Sequence, residues 1–153
     1  MRTKVRFAAL LVVGIAVAPV CVVASSTNRV PDEESIAALE AKADQAQPRE
    51  QCFLYAELVQ QMTELSVRQY ASGDVTKADS LLKRIQNLAA KIHLSLAGND
   101  KRLKNAEILL SNTAFRLKEM LHASDYDDRP LVEETLSKVT NAQDEAMMQV
   151  FQK

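Results

Sequence analysis

The chain has 153 residues, of which 47% are hydrophobic, 25% charged and 5% aromatic, and its formal net charge at pH 7 is −1. Such a length and composition predict one globular domain and argue against disorder. Three glycines and the low aromatic content argue against a β-sandwich or barrel, and two cysteines cannot staple a disulfide-rich scaffold. The composition therefore favours an all-α fold.

The first 24 residues have the pattern of a secretory signal peptide. Three basic residues precede an apolar run: Arg2, Lys4 and Arg6. The apolar run covers 7–18, Pro19 ends it, and small side chains before Ser25 offer a cleavage site. We therefore expect residues 1–24 to be removed and the protein to be periplasmic or secreted. An uncleaved membrane anchor is the alternative, because apolar residues continue as far as residue 24.

Removal of the leader changes the charge of the chain. Three basic residues and no acidic ones are lost, so the formal charge falls from −1 for the whole chain to −4 for residues 25–153. A mildly acidic domain lacks the basic patch that attracts a phosphate backbone. We therefore expect no nucleic-acid partner, and no membrane association after cleavage.

Apolar residues then recur at helical spacing in five segments. Residues 25–47 combine a polar tail with a short helix over 31–46. Residues 48–153 hold four longer helices, over 48–72, 74–97, 101–123 and from Pro130 almost to the C-terminus. Because four helices of similar length are joined by short loops, antiparallel neighbours are favoured. The sequence therefore predicts an up-down-up-down four-helix bundle domain with an additional short N-terminal helix.

The apolar face of each long helix predicts the core of this bundle. On the first two long helices these faces are Leu54, Tyr55, Leu58, Val59, Met62 and Leu65, and Ala78, Leu81, Leu82, Ile85, Leu88, Ala89, Ile92 and Leu96. On the last two they are Leu103, Ala106, Leu110, Thr113, Leu117 and Met120, and Val132, Leu136, Val139, Ala142, Ala146 and Val150. Gly73 and Gly98 are placed to end helices, since glycine accepts a left-handed backbone.

Metal and haem sites have little support in the two histidines of the chain. Glu119 and His122 have the Glu-x-x-His spacing of di-iron bundles, but Ala90 stands where His93 would need its own glutamate. At 100° per residue, Glu119 and His122 lie far from the apolar seam of their helix, so both are predicted to face solvent. The Cys-x-x-Cys-His motif of covalent haem is also missing. We expect no cofactor and no metal ligand. A periplasmic bundle that binds a small ligand, metal or haem is the alternative function.

Catalytic motifs are equally scarce. The chain contains no Gly-x-Ser-x-Gly, P-loop, dinucleotide fingerprint or His-Glu-x-x-His sequence. A glycine-poor bundle also offers few of the loops on which catalytic groups tend to lie. We therefore expect a non-enzymatic protein without catalytic residues.

Cys52 is the only cysteine that cleavage of the leader would leave. An odd cysteine in an oxidising compartment indicates an intermolecular disulfide or a free thiol. Its place at the edge of the apolar arc favours a buried, unreactive thiol, since cysteine packs well as a small core residue.

Three large apolar side chains fall outside the predicted core faces: Phe53, Ile108 and Phe115. One explanation is that the N-terminal helix, through Ile36 and Leu39, folds back and covers some of them. The other is a surface for a homodimer or another protein, because exposed apolar clusters mark interaction sites. The sequence therefore predicts an exported protein that acts by protein–protein interaction or self-association.

Overall fold

The computed structural model describes residues 30–95 and 102–151, and within these ranges every regular element is a helix. There are five: α1 (Glu33–Gln45), α2 (Pro48–Ala71), α3 (Val75–Ser95), α4 (Leu103–Ala123) and α5 (Arg129–Phe151). The all-α prediction is confirmed. The predicted signal peptide, the cap at Gly98 and the core residue Leu96 lie outside the described residues. None of the helices in the described ranges is both long and apolar enough to cross a membrane.

Helix α1 begins with a reciprocal cap. The Asp32 carboxylate accepts a hydrogen bond from the Ser35 backbone N–H at 2.8 Å, and the Ser35 hydroxyl accepts one from the Asp32 N–H at 3.1 Å. Glu33 and Glu34 add negative charge at the positive end of the helix dipole. These bonds favour a helix of 13 residues that would be marginal alone.

Gly73 joins α2 to α3 in a left-handed conformation, with φ at +87°. Its N–H donates to the Tyr70 carbonyl at 3.0 Å, and the Asp74 N–H donates to the Gln69 carbonyl at 2.8 Å. This pair of bonds is the Schellman arrangement, which satisfies carbonyls at the end of a helix and reverses the chain. The prediction that Gly73 ends the helix is confirmed.

The four long helices form two stacked pairs. Helix α2 packs on α3 and α4 packs on α5, while α2 also packs on α4 and α3 on α5. Three side-chain contacts between α2 and the α4 region follow one another in order: Glu64 with Arg116, Ser66 with Met120, and Tyr70 with Asp125. Residue numbers increase in the same sense on both sides, so α2 and α4 run in the same direction.

Helix α1 lies against α2 and reaches α3 through charged side chains. Gln51 donates to the Ala43 carbonyl at 3.3 Å. The ion pairs to α3 join Arg84 to Glu40 at 2.9 Å and to Glu33 at 3.6 Å, and Lys91 to Asp44 at 3.8 Å. Helix α1 therefore lies over the α2–α3 pair.

The α2–α3 pair is covered on two opposite faces. On α3, Arg84 faces α1, whereas Gln86 faces α5 and donates to the Thr135 hydroxyl at 3.0 Å. The described part of the chain is thus three layers in the order α1, α2–α3 and α4–α5. No described element covers the outer face of the α4–α5 layer.

The core follows the predicted faces closely. Every described residue of the four predicted faces is buried except Leu136 and Val150, which are half-buried against the core. The core also holds hydroxyl side chains that no apolar pattern marks: Thr63, Ser66, Ser124 and Thr135. Three of them donate to a carbonyl one turn earlier in the chain, as Thr135 does to the Leu131 carbonyl at 2.7 Å. The Thr63 hydroxyl has no hydrogen-bond partner among the described residues.

Candidate functional site

Two large apolar side chains are exposed on the outer face of α4. Ile108 is 46% exposed and Phe115 is 62% exposed. Seven residues make nearly two helical turns, so the two side chains share one side of α4, about 10 Å apart. With their neighbours on that side they form what we call the α4 outer stripe: Lys104, Ile108, Ser111, Asn112, Phe115 and Glu119.

The orientation of this stripe is set by the opposite side of the helix. All six residues of the predicted α4 seam are buried: Leu103, Ala106, Leu110, Thr113, Leu117 and Met120. Burying that seam requires the side chains half a turn away to point outwards. The exposure of Ile108 and Phe115 is therefore a consequence of the core.

An arginine fixes α4 against α2 beside the stripe. Arg116 donates to both carboxylate oxygens of Glu64, at 2.9 and 3.2 Å, and to Glu119 at 2.5 Å. These bonds raise the pKa of the Arg116 guanidinium, through Glu64 first and then Glu119. The two-pronged contact limits rotation of α4 and holds the Glu119 carboxylate at the edge of the stripe.

Phe53 does not belong to this stripe. Its ring is partly buried against the core, and the Arg102 guanidinium lies 4.8 Å from the ring centre. The structure thus separates Phe53 from the exposed pair, although the sequence grouped the three. The alternative that α1 covers some of them fails for Ile108 and Phe115, which stay exposed with α1 in place.

Cys52 lies in the core, and its residue is 0% exposed. Within the described ranges it forms no disulfide. An intermolecular disulfide stays a prediction, and it would require the first turns of α2 to open.

Glu119 and His122 of α4 are the residues with the spacing of a di-iron ligand pair, and they are predicted to face solvent. Glu119 and His122 are both exposed, as the helical angles indicated. Among the described residues, no group of three histidine, cysteine, aspartate or glutamate side chains is placed to hold a metal ion. The side chain of His93 lies outside the described part of the chain.

A groove of about 460 Å³ lies between α3 and α5. Alanines and polar side chains line it: Ala89, Ala90, Ala142, Gln86, Asn141 and Lys138. The Gln86 amide is already bonded at both ends, since it donates to Thr135 at 3.0 Å and accepts from Lys138 at 3.1 Å. Sequence reasoning missed this groove because it depends on how two helices are placed side by side.

Two carboxylates repel each other electrostatically at the end of the molecule where α2 turns into α3. Asp79 of α3 and Asp128 of the α4–α5 loop are both half-buried. Partial burial raises the pKa of the Asp79 carboxyl, the negative charge of Asp128 raises it further, and Lys83 opposes both. The ionised form of Asp79 therefore destabilises the folded state at neutral pH.

Replacing Asp79 is expected to stabilise the protein at pH 7. A raised folded-state pKa means that Asp79 favours folding below its ordinary pKa of 3.8, and that this contribution is lost as pH rises through the folded-state value. Asp79→Asn should therefore raise the melting temperature at pH 7, with a gain that shrinks as the pH falls below that ordinary value. Thermal melts at pH 7 and at pH values below 3.8 measure this gain. The control is Asp144→Asn, which removes an exposed carboxyl on α5. Equal shifts from both variants at pH 7 would contradict the prediction.

Comparison of the chain with protein-family models, with curated proteins and with solved structures finds no match in any of the three.

Proposed function

We propose that the protein is an exported, non-enzymatic helical bundle that acts by binding a protein through the α4 outer stripe. The observation that carries this proposal is the exposure of Ile108 and Phe115 on one side of α4. Fully burying an exposed phenylalanine or isoleucine side chain contributes about 1.5–3 kcal/mol, and covering the exposed part of Ile108 or Phe115 contributes about half of that. A partner that covers both side chains gains this free energy without having to order the backbone of α4, which is already helical.

The surroundings of the exposed pair support a binding surface. Lys104 and Glu119 stand beyond the two apolar residues, one at each end of the stripe. An apolar centre with a charged rim is the arrangement that protein interfaces use. The stripe also lies on the outer face of the last layer, where no described element covers it.

Export and chain course are parts of the same proposal. The basic and apolar pattern of residues 1–24 supports cleavage of a leader and a periplasmic or secreted location. The reversal at Gly73 and the common direction of α2 and α4 support an up-down-up-down course for the four long helices. The lack of catalytic motifs in the sequence supports a binding role.

Photo-cross-linking in the producing cells tests the stripe directly. With a benzophenone side chain in place of Phe115, we expect a discrete cross-linked species, because this exposed position would lie within the interface. The matched control carries the same group in place of Lys83, an exposed residue of α3. Gel shift and mass spectrometry of the purified full chain, in the form that the cell produces, read the result. A failure of position 115 to form more adduct than position 83 would contradict the proposed function.

A small ligand in the α3–α5 groove is the second candidate function. Its volume of about 460 Å³ is in the range of small-molecule sites, and Asn141 adds an amide to its lining. Native mass spectrometry of the purified protein separates the two functions, since a bound small molecule would favour the groove.

A further inference from the structure

We infer that the partner of the α4 outer stripe is a second copy of this chain, which packs antiparallel about a two-fold axis between Ser111 and Asn112. This inference rests on the proposed function and names the partner of the same surface. It follows from the order of side chains along the stripe, which is complementary to itself when reversed.

The apolar residues are placed symmetrically about that axis. Ile108 and Phe115 lie equally far from the midpoint between Ser111 and Asn112. In an antiparallel pair, each Ile108 therefore faces the Phe115 of the second copy, and this happens twice. Ser111 and Asn112, which are short, meet at the axis and allow the two helices to approach closely. One patch thus serves both copies, as closed two-fold dimers require.

The charged residues obey the same symmetry. Lys104 and Glu119 are also equally far from the midpoint, so each lysine faces a glutamate of the second copy. Arg116 holds the Glu119 carboxylate, and the Glu119 side chain is still 48% exposed, so it can receive the lysine. In a parallel pair, Lys104 would face Lys104 and Glu119 would face Glu119. Charge complementarity therefore selects the antiparallel arrangement.

The size of the contact predicts a reversible dimer. Helix α4 has 21 residues and is about 30 Å long. One helix from each copy buries less than the roughly 800 Å² per partner of a standard stable interface. The dimer should therefore form and dissociate as protein concentration changes within the accessible range.

A charge exchange tests the partner and the register together. Lys104→Glu places two glutamates opposite each other at both ends of the dimer and should weaken association at least tenfold. Glu119→Lys should do the same, through paired lysines and through loss of the Arg116 contact that holds position 119. The double variant Lys104→Glu/Glu119→Lys restores opposite charges and should return the dissociation constant to within about threefold of the wild type. Lys83→Glu makes the same charge change on α3, away from the stripe, and should leave the dissociation constant unchanged, although it adds a negative charge near Asp79. Sedimentation velocity over a concentration series measures each constant, with circular dichroism to show that these exposed substitutions leave the helices intact.

Two outcomes would overturn the second-copy assignment: a wild-type protein that is monomeric throughout the series, or a Lys104→Glu variant that associates like Lys83→Glu. A double variant as weak as the single ones would overturn the antiparallel register. The proposed function is tested separately, by the cross-link at position 115. If position 115 cross-links to a different protein while the wild type is monomeric, the stripe is a binding surface and the second-copy assignment is wrong.

Discussion

Leu110→Ala is expected to lower the free energy of unfolding by about 3 kcal/mol. Leu110 is 0% exposed and lies in the middle of the α4 seam, within the cluster that joins all five helices. Truncation removes buried methyl groups and leaves a cavity that a close-packed core fills only in part. Measured losses for buried leucines reach from about 2 to 5 kcal/mol for this reason.

Urea denaturation followed by circular dichroism measures this loss. Asn105→Ala is the matched control, because Asn105 is an exposed residue of the same helix and its truncation leaves no cavity. Its effect should stay within about 0.5 kcal/mol. If Leu110→Ala unfolds no more easily than Asn105→Ala, the assignment of the α4 seam to the core is wrong, and with it the outward direction of Ile108 and Phe115.

The faces of the helices could be predicted from sequence because helical spacing is a local property. Apolar residues recur at intervals of three and four on the predicted faces, and burial follows those intervals around Leu58, Ile85, Leu110 and Val139. Buried hydroxyls escape such a pattern. Thr63 and Ser66 are polar by type and stand beside the predicted arc of α2, yet both are 0% exposed. Their burial depends on the approach of other helices to that side of α2.

The candidate site likewise has a part that depends on local helical spacing and a part that depends on how helices pack together. Ile108 and Phe115 were found from the angle that each makes with its own seam, which needs no knowledge of other helices. Phe53 was placed with them by the same argument, but Arg102 and the core partly cover it. The residue that covers Phe53 lies 49 positions away in the chain, so periodicity could not reveal it. Pairing between helices, and the groove between α3 and α5, are likewise tertiary properties.

The position of α1 depends on burial more than on its ion pairs. Its charged contacts with Arg84 and Lys91 join side chains that are at least 36% exposed. Pairs with that exposure contribute about 0–1 kcal/mol each, because water and salt screen them. Ile36, in contrast, is 0% exposed and inserts into the core. The attachment of α1 to the bundle therefore depends chiefly on its buried apolar side chains, of which Ile36 is the largest.

Ile36→Asp is accordingly expected to detach α1 and leave α2–α5 folded. A carboxylate at this buried position has no room for hydration, and exposing it releases the helix from the α2–α3 layer. Since a free helix of 13 residues is marginal in water, α1 should then unfold. Hydrogen exchange should become fast across 33–45 and stay slow in the middle of α3 and α4, and proteases should cut within α1.

Ile36→Val is the control for this detachment, because it keeps an apolar side chain and should cost only about 0.5–1.5 kcal/mol without local unfolding. Fast exchange throughout the Ile36→Asp variant would contradict local detachment and would make α1 part of one cooperative unit with the bundle. Slow exchange throughout α1 would contradict the structure itself at Ile36. In a three-layer molecule, only one face of α1 is buried. We therefore expect the loss of protection to be confined to residues 33–45.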